Sequence, residues 1–275
     1  MSENLLVAED IEVAFGGGSR WFGAAGPKVR VLRGVSLRIG RGETVGIVGE
    51  SGSGKTTLGR ALLRLVDVAA GRIVFDGGDV TRISEAEMRP LRRRMQIIFQ
   101  DPMASLNPRQ RIRRIVAEPM LFHRVAKDPA DAESRVRTIF ERFSLPLACL
   151  DRYPHELSGG QRQRVGIARA ALLSPDFVLA DEIVSGLDVS TQAQVLNLLK
   201  GFSRELGLSM AFISHDLSVI RAVCDRVYVL NAGRVVEEGA CEALFAHPKH
   251  EYTRALIDAI PLPRIDPDWL GRVLG

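Results

Sequence analysis

No stretch of about 18 uncharged apolar residues occurs in the 275-residue chain, so the sequence predicts no membrane-spanning helix. Met1 to Asp10 carries Glu3, Glu9 and Asp10 where a secretion signal needs a basic stretch and then an apolar one, so no signal peptide is expected. Cysteine is scarce. Cys149, Cys224 and Cys241 match neither metal-site nor disulfide spacing, which points to free thiols in a reducing cytoplasm. Internal repeats and low-complexity tracts are absent. So is the Asn-Lys-x-Asp segment that a guanine reader needs. The charge excess is small: 37 Lys and Arg against 33 Asp and Glu give +4, enough to suit an anionic ligand but not to define a nucleic-acid protein. The arginine-rich stretches at Arg89, Arg92, Arg93, Arg94 and at Arg109, Arg111, Arg113, Arg114 lack interleaved aromatics. They read as a solvated face, near anionic lipid or a membrane partner, and no nucleic-acid partner is expected.

What remains is an ordinary globular composition, 46% hydrophobic and 25% charged, long enough for one large domain or two small lobes. Short apolar runs alternate with helical patterns, the mark of an α/β protein with a mainly parallel sheet. Val31 to Ile39, Thr44 to Val48, Met95 to Phe99, Phe177 to Ala180 and Met210 to Ile213 read as strands. Val227 to Leu230 and Val235 to Glu237 flank Asn231-Ala232-Gly233 as a hairpin. Val136, Ile139, Phe140 and Phe143 share one helical face, and Val195, Leu198, Leu199, Phe202 and Leu206 share another. Residues 101–168 carry helical pattern without strands and read as a helical lobe inserted into the core. Residues 16–30, with five glycines and a proline, read as an exposed loop.

Gly49-Glu50-Ser51-Gly52-Ser53-Gly54-Lys55-Thr56 matches G-x-x-x-x-G-K-[ST] between a strand and a helix. Glycines let the backbone curl so that successive N–H groups converge on phosphate oxygens. The helix continuing from Thr57 adds its partial positive charge, which brings Thr57 into the same cradle. Lys55 supplies a cation for the β and γ phosphates of ATP, and the Thr56 hydroxyl is placed to ligate Mg²⁺.

Phe177 to Glu182 is an apolar strand that ends in two acids. Ligands in open α/β sheets bind beyond the strands' carboxyl ends, so both acids are expected at the phosphate site. Asp181 would hold Mg²⁺ through its water shell, and Glu182 would orient and deprotonate the attacking water. Gln100 and His215 end neighbouring strands on the same edge, where they can sense the metal and the γ-phosphate. Leu157-Ser158-Gly159-Gly160-Gln161 opens a further helix and makes a second anion site for which the chain has no second triphosphate. A partner chain whose ATP this helix completes is the economical reading.

Leu157 to Gln161 is the signature of the ABC ATPases, and the order cradle, glutamine, signature, acid pair, histidine resembles that family over nearly the whole chain. The resemblance implies a P-loop NTPase core of RecA type with an antiparallel β subdomain and an inserted α-helical subdomain. It implies residues 1–240 as the ATPase domain, with the helical part near 101–168, and 241–275 as a C-terminal extension. It further implies a head-to-tail dimer in which Ser158, Gly159, Gly160 and Gln161 serve the partner's ATP. Glu182 would be the catalytic base, His215 the γ-phosphate switch and Gln100 the metal-linked relay to transmembrane subunits. Phe15 would stack on adenine, and Asp188 would carry cross-talk between sites. One departure stands out: the family usually has Pro-Thr-Ser-Ala-Leu-Asp after the base, and this chain has Ile183-Val184-Ser185-Gly186-Leu187-Asp188.

Phe99 to Arg109, Tyr153-Pro154-His155-Glu156 and the tail from His247-Pro248 through Tyr252-Thr253-Arg254-Ala255-Leu256 to Ile260-Pro261 resemble the oligopeptide, dipeptide and nickel importer branch. That branch implies a second, distinct ATPase subunit, two permease subunits and an extracytoplasmic substrate-binding protein, with this chain peripheral on the cytoplasmic membrane face. The alternative is a soluble ABC ATPase of an enzyme assembly, of the carbon–phosphorus lyase type. A non-hydrolysing scaffold is disfavoured by the presence of Glu182 and His215.

Overall fold

The computed structural model describes residues 3–16 and 28–259. In chain order the elements are β1 (Asn4–Phe15), β2 (Val29–Gly40), β3 (Thr44–Val48), α1 (Lys55–Leu62), β4 (Ala70–Phe75) and β5 (Gly78–Asp79). They continue with α2 (Glu85–Arg94), β6 (Met95–Ile98), α3 (Ile112–Phe122), α4 (Pro129–Arg142), α5 (Gly159–Ala171), β7 (Phe177–Asp181) and α6 (Val189–Leu206). The remainder is β8 (Ser209–Ile213), α7 (Leu217–Val223), β9 (Arg226–Asn231), β10 (Arg234–Ala240), α8 (Cys241–Ala246) and α9 (Glu251–Asp258).

Two sheets organise the chain. One is antiparallel with order β2-β1-β4-β5; the other has order β10-β9-β3-β8-β7-β6, parallel except for the β9–β10 hairpin. The larger sheet is covered on both faces, which explains why its strands are continuous apolar runs rather than alternating ones. Phe177 and Leu179 of β7, Ala211 and Ile213 of β8 and Tyr228 and Leu230 of β9 face a core shared with the antiparallel sheet and α1. Their neighbours Val178 and Ala180, Met210 and Phe212, and Val227 and Val229 face a second core with α3 to α7.

Gly46 is in the middle of β3 for a steric reason. A Cβ there would meet Ile220 Cγ2 at 2.9 Å and Cys224 Sγ at 3.2 Å, so α7 could not lie this close over any other residue. The β9–β10 turn puts Ala232 and Gly233 at φ 46° and 79°, the left-handed pair that a two-residue hairpin needs.

The loop read at 16–30 falls mostly on residues 17–27, outside the described ones. At its end the reading is corrected: Val29 and Arg30 begin β2, where they pair with Phe15 and Ala14. Cross-strand hydrogen bonding there outweighs the glycine-rich composition of the preceding segment. Ile260-Pro261 of the tail also lies outside the described residues. Among those described, no helix is long and apolar enough to cross a membrane.

Candidate active site

The loop expected to cradle phosphate runs between the central strand β3 and α1. Its three glycines are in the left-handed region, Gly49 at φ 147°, Gly52 at 80° and Gly54 at 106°. A Cβ on Gly49 would lie 2.1 Å from the Leu230 carbonyl oxygen, and one on Gly54 would lie 2.9 Å from Leu32 Cδ2. Any other residue at either position would break the loop.

Lys55 folds back over the loop, donating from Nζ to the Gly49 and Glu50 carbonyls at 2.7 and 2.8 Å. Its side chain is 5% exposed. Burial lowers the Lys55 pKa, against the pull of Glu182, Asp181 and Glu50. Ser53 Oγ is buried without a protein partner among the described residues. A buried ammonium with no carboxylate bonded to it among the described residues, and a buried orphan hydroxyl, fit a phosphate group in the cradle.

β7 and β8 deliver the acids. Asp181 pairs in register with Ile213, and the Glu182 amide donates to the Ile213 carbonyl at 3.0 Å, which aligns the two strand ends. Thr56 Oγ1 donates to Asp181 Oδ1 at 3.2 Å. Asp181 is 5% exposed and burial raises its pKa, with the Thr56 hydrogen bond opposing. It has no salt-bridge partner among the described residues. Two hard oxygens with an uncompensated buried carboxylate fit Mg²⁺, which prefers oxygen ligands and keeps several waters.

Glu182 adopts φ 48°, an uncommon conformation for a residue other than glycine. It turns the side chain toward His215, whose Nδ1 lies 3.4 Å from Glu182 Oε2. Both line a cleft of about 140 Å³ with Ser185, Gly186, Gln192 and Ser214. The unusual loop after Glu182 is tied to the core. Ile183 and Val184 are buried, Ser185 N–H donates to Glu182 O at 3.0 Å, and Leu187 N–H donates to Val184 O at 3.3 Å.

Gln100 is exposed and lies two residues past β6, whose Ile98 is in register with Ala180 of the strand that carries Asp181. Phe15 ends β1 opposite Val29, and β2 two residues further on packs its Val31 carbonyl 3.3 Å from the Cβ position of Gly54. Phe15 is 47% exposed near that rim.

The signature segment stands apart from this cradle. Ser158 caps α5 in a reciprocal box: its Oγ accepts from Gln161 N–H at 3.3 Å, and its own N–H donates to Gln161 Oε1 at 3.0 Å. Gly159 and Gly160 therefore keep the free first-turn amides, while the Ser158 hydroxyl and the Gln161 amide are already engaged with each other. A Cβ on Gly160 would come within 2.6 Å of Thr191 Cγ2. Thr191 follows Asp188, which caps α6 by accepting from Thr191 N–H, Thr191 Oγ1 and Ser190 Oγ at 2.6 to 2.9 Å. Those bonds hold the Asp188 carboxyl well below the usual carboxylate range, the Ser190 bond most strongly. Signature and Asp188 are thus one packed unit.

The structure brings one further residue to the cradle that sequence reading placed only in a tail motif. The Glu50 amide donates to the Tyr252 hydroxyl of α9 at 2.9 Å, a contact between positions 202 residues apart that local pattern could not have signalled.

This fold, with a glycine cradle, an acid pair and a distant helix-opening serine and glycines, defines an ATP-binding cassette. The chain belongs to the ABC transporter family, whose model matches residues 32–185. Among curated relatives, a Brucella ovis protein named for peptide import is 55% identical over 240 residues, 87% of this chain and 75% of that one. Oligopeptide transport ATP-binding protein AmiF of Streptococcus pneumoniae is 49% identical over 264 residues, 96% of this chain and 83% of that one. Among solved structures, the dimeric post-hydrolysis state of the ATP-binding cassette MJ0796 bound to ADP and Pi superposes with TM-score 0.77 at 28% identity. The match covers 86% of this chain and 98% of that one.

Proposed function

We propose that this chain is the ATP-hydrolysing subunit of an ABC importer that takes up peptides. The observation that carries the chemistry is the convergence of Lys55, the Thr56–Asp181 pair and the Glu182–His215 pair at the carboxyl edge of β3, β7 and β8. The peptide-import names of the relatives support the cargo class and favour an importer over an enzyme-assembly ATPase.

In this reading Lys55 leaves the loop carbonyls and bonds the β and γ phosphates, the amides of Gly52 and of Gly54 to Thr57 take the remaining oxygens, the Ser53 amide staying on the Glu50 carbonyl, and Phe15 stacks on adenine. Thr56, Asp181 and, through its amide oxygen, Gln100 would hold Mg²⁺, which neutralises phosphate charge when bound. Glu182 accepts a proton from the attacking water, and His215 holds Glu182 and the γ-phosphate end in one geometry. Ser158, Gly159, Gly160 and Gln161 serve the ATP of a second ATPase subunit, a distinct chain rather than a copy. Asp188 ties the two sites together. Residues 1–240 form the ATPase unit with its helical part at 101–168, and 241–275 form the extension. Two permease subunits and an extracytoplasmic substrate-binding protein complete the assembly, which holds this chain on the cytoplasmic face of the membrane.

The test is Glu182→Gln in the assembled complex. ATP binding should persist while turnover falls by about a hundredfold or more, the scale of a lost general base. Wild-type turnover would overturn the assignment. Purification of the tagged chain from gently solubilised membranes should bring down permeases and a second ATPase; a soluble enzyme complex in their place would overturn the importer reading.

A further inference from the structure

We propose that Tyr252, in the C-terminal extension, is a positioning residue for ATP: its hydroxyl holds the Glu50 peptide of the phosphate loop from outside. The inference rests on residues 49–56 being that loop. Glu50 is the hinge of the cradle's bonding. Its carbonyl accepts from Ser53 N–H at 3.2 Å and from Lys55 Nζ at 2.8 Å, while its own amide donates to Tyr252 at 2.9 Å. When Lys55 turns to phosphate it gives up the Gly49 and Glu50 carbonyls. Of the ties on Glu50 among the described residues, those through Ser53 and Tyr252 then remain, and the Tyr252 tie alone reaches outside the loop. A loop with three left-handed glycines has little stiffness of its own, so an external tie fixes its open form.

The tie is itself anchored. Glu237 of β10 accepts from the Lys249 and His250 amides at 2.8 and 2.9 Å, and His250 Nδ1 accepts from the Tyr252 amide at 3.1 Å. Leu256 and Ile257 pack the next turn of α9 against the helical-side core. The extension therefore forms a strut from the β9–β10 hairpin to the cradle. That hairpin also grips the loop directly, through the Gly233 amide on the Ser53 carbonyl at 3.0 Å.

Tyr252→Phe removes the acceptor and keeps the ring. One neutral hydrogen bond predicts ATP affinity of the full chain weaker by about three- to tenfold, with kcat of the assembled complex at saturating ATP within about twofold. Exchange of the Glu50 amide should quicken, while β3 amides stay protected. Because coupling is reciprocal, Mg-ATP should slow exchange across α9 in the wild-type chain and not in the variant. Wild-type affinity in Tyr252→Phe, or α9 exchange indifferent to Mg-ATP, would overturn the proposal. Lys55→Ala, measured alongside, separates the two layers. Undiminished ATP affinity there would remove the cradle assignment and the strut with it. A loss there beside an unaffected Tyr252→Phe would remove the strut alone.

Discussion

Gly160→Ala tests the packing that joins the signature to Asp188. The added methyl would lie 2.6 Å from Thr191 Cγ2, roughly 1 Å closer than the separation at which two carbons attract. Thr191 cannot turn aside cheaply, since its amide and hydroxyl both bond Asp188, at 2.9 and 2.7 Å. Rotating the methyl away forfeits the hydroxyl bond. The remaining relief is for the start of α5 to move away from α6. Overpacking of this kind costs about 1 to 3 kcal/mol, set against about 1 kcal/mol that alanine gains over glycine within a helix. The variant should therefore melt at or a few degrees below wild type. ATPase activity of the assembled complex should fall by about ten- to a hundredfold, because in the proposed function the displaced amides serve the partner's ATP. Thr191→Ser decides the cause: it keeps the hydroxyl and deletes Cγ2. In that background Gly160→Ala should become neutral or stabilising, and most activity should return. If Thr191→Ser rescues neither stability nor turnover, the contact is not what limits position 160. If Gly160→Ala alone is fully active, the packing argument fails.

Two other perturbations read the electrostatics. Burial raises the Asp181 pKa, so in the nucleotide-free chain its stabilising contribution is full below the unfolded carboxylate value and is lost as pH rises through the folded one. Asp181→Asn should raise the melting temperature of the nucleotide-free chain at neutral pH by about 2 °C or more and abolish turnover; a lowered melting temperature would show that the carboxylate is not strained. Asp188→Ala removes the cap of α6 and the clamp on Thr191, so melting should fall by roughly 2 °C. In a complex of two distinct ATPase chains its activity loss should appear at the nucleotide bound by the partner's cradle. Confinement of the loss to the chain's own nucleotide would break the link between Asp188 and the signature.

The larger sheet was readable because burial on both faces leaves uninterrupted apolar runs, and β3, β7 and β8 match their sequence readings to within a residue. β1 was not readable. Glu9 and Asp10, both exposed, interrupt its alternation, and a register shift with Asp10 at φ 48° turns the strand where the pattern breaks. β4 pairs with β1 and β5 with β4, so both share its illegibility. The cradle and the acid pair stand out in sequence because phosphate chemistry demands fixed residue types at fixed spacing. The Glu182–His215 approach depends on the order β3-β8-β7, which no local pattern encodes. The bond from Glu50 to Tyr252 depends on the same long-range assembly, and so does the lodging of Gly160 against Thr191.

The close seat of α7 over Gly46 has a practical consequence for thiol chemistry. Cys224 is wedged behind that strand, Cys241 is buried beside it with its Sγ 3.8 Å from the Ile220 carbonyl of α7, Cys149 is buried elsewhere, and burial pushes all three thiols upward in pKa. An alkylating reagent should therefore ignore the folded chain and react only as it opens, which makes the native cysteines a built-in clock for unfolding. A single cysteine engineered at an exposed position could be labelled without first removing them.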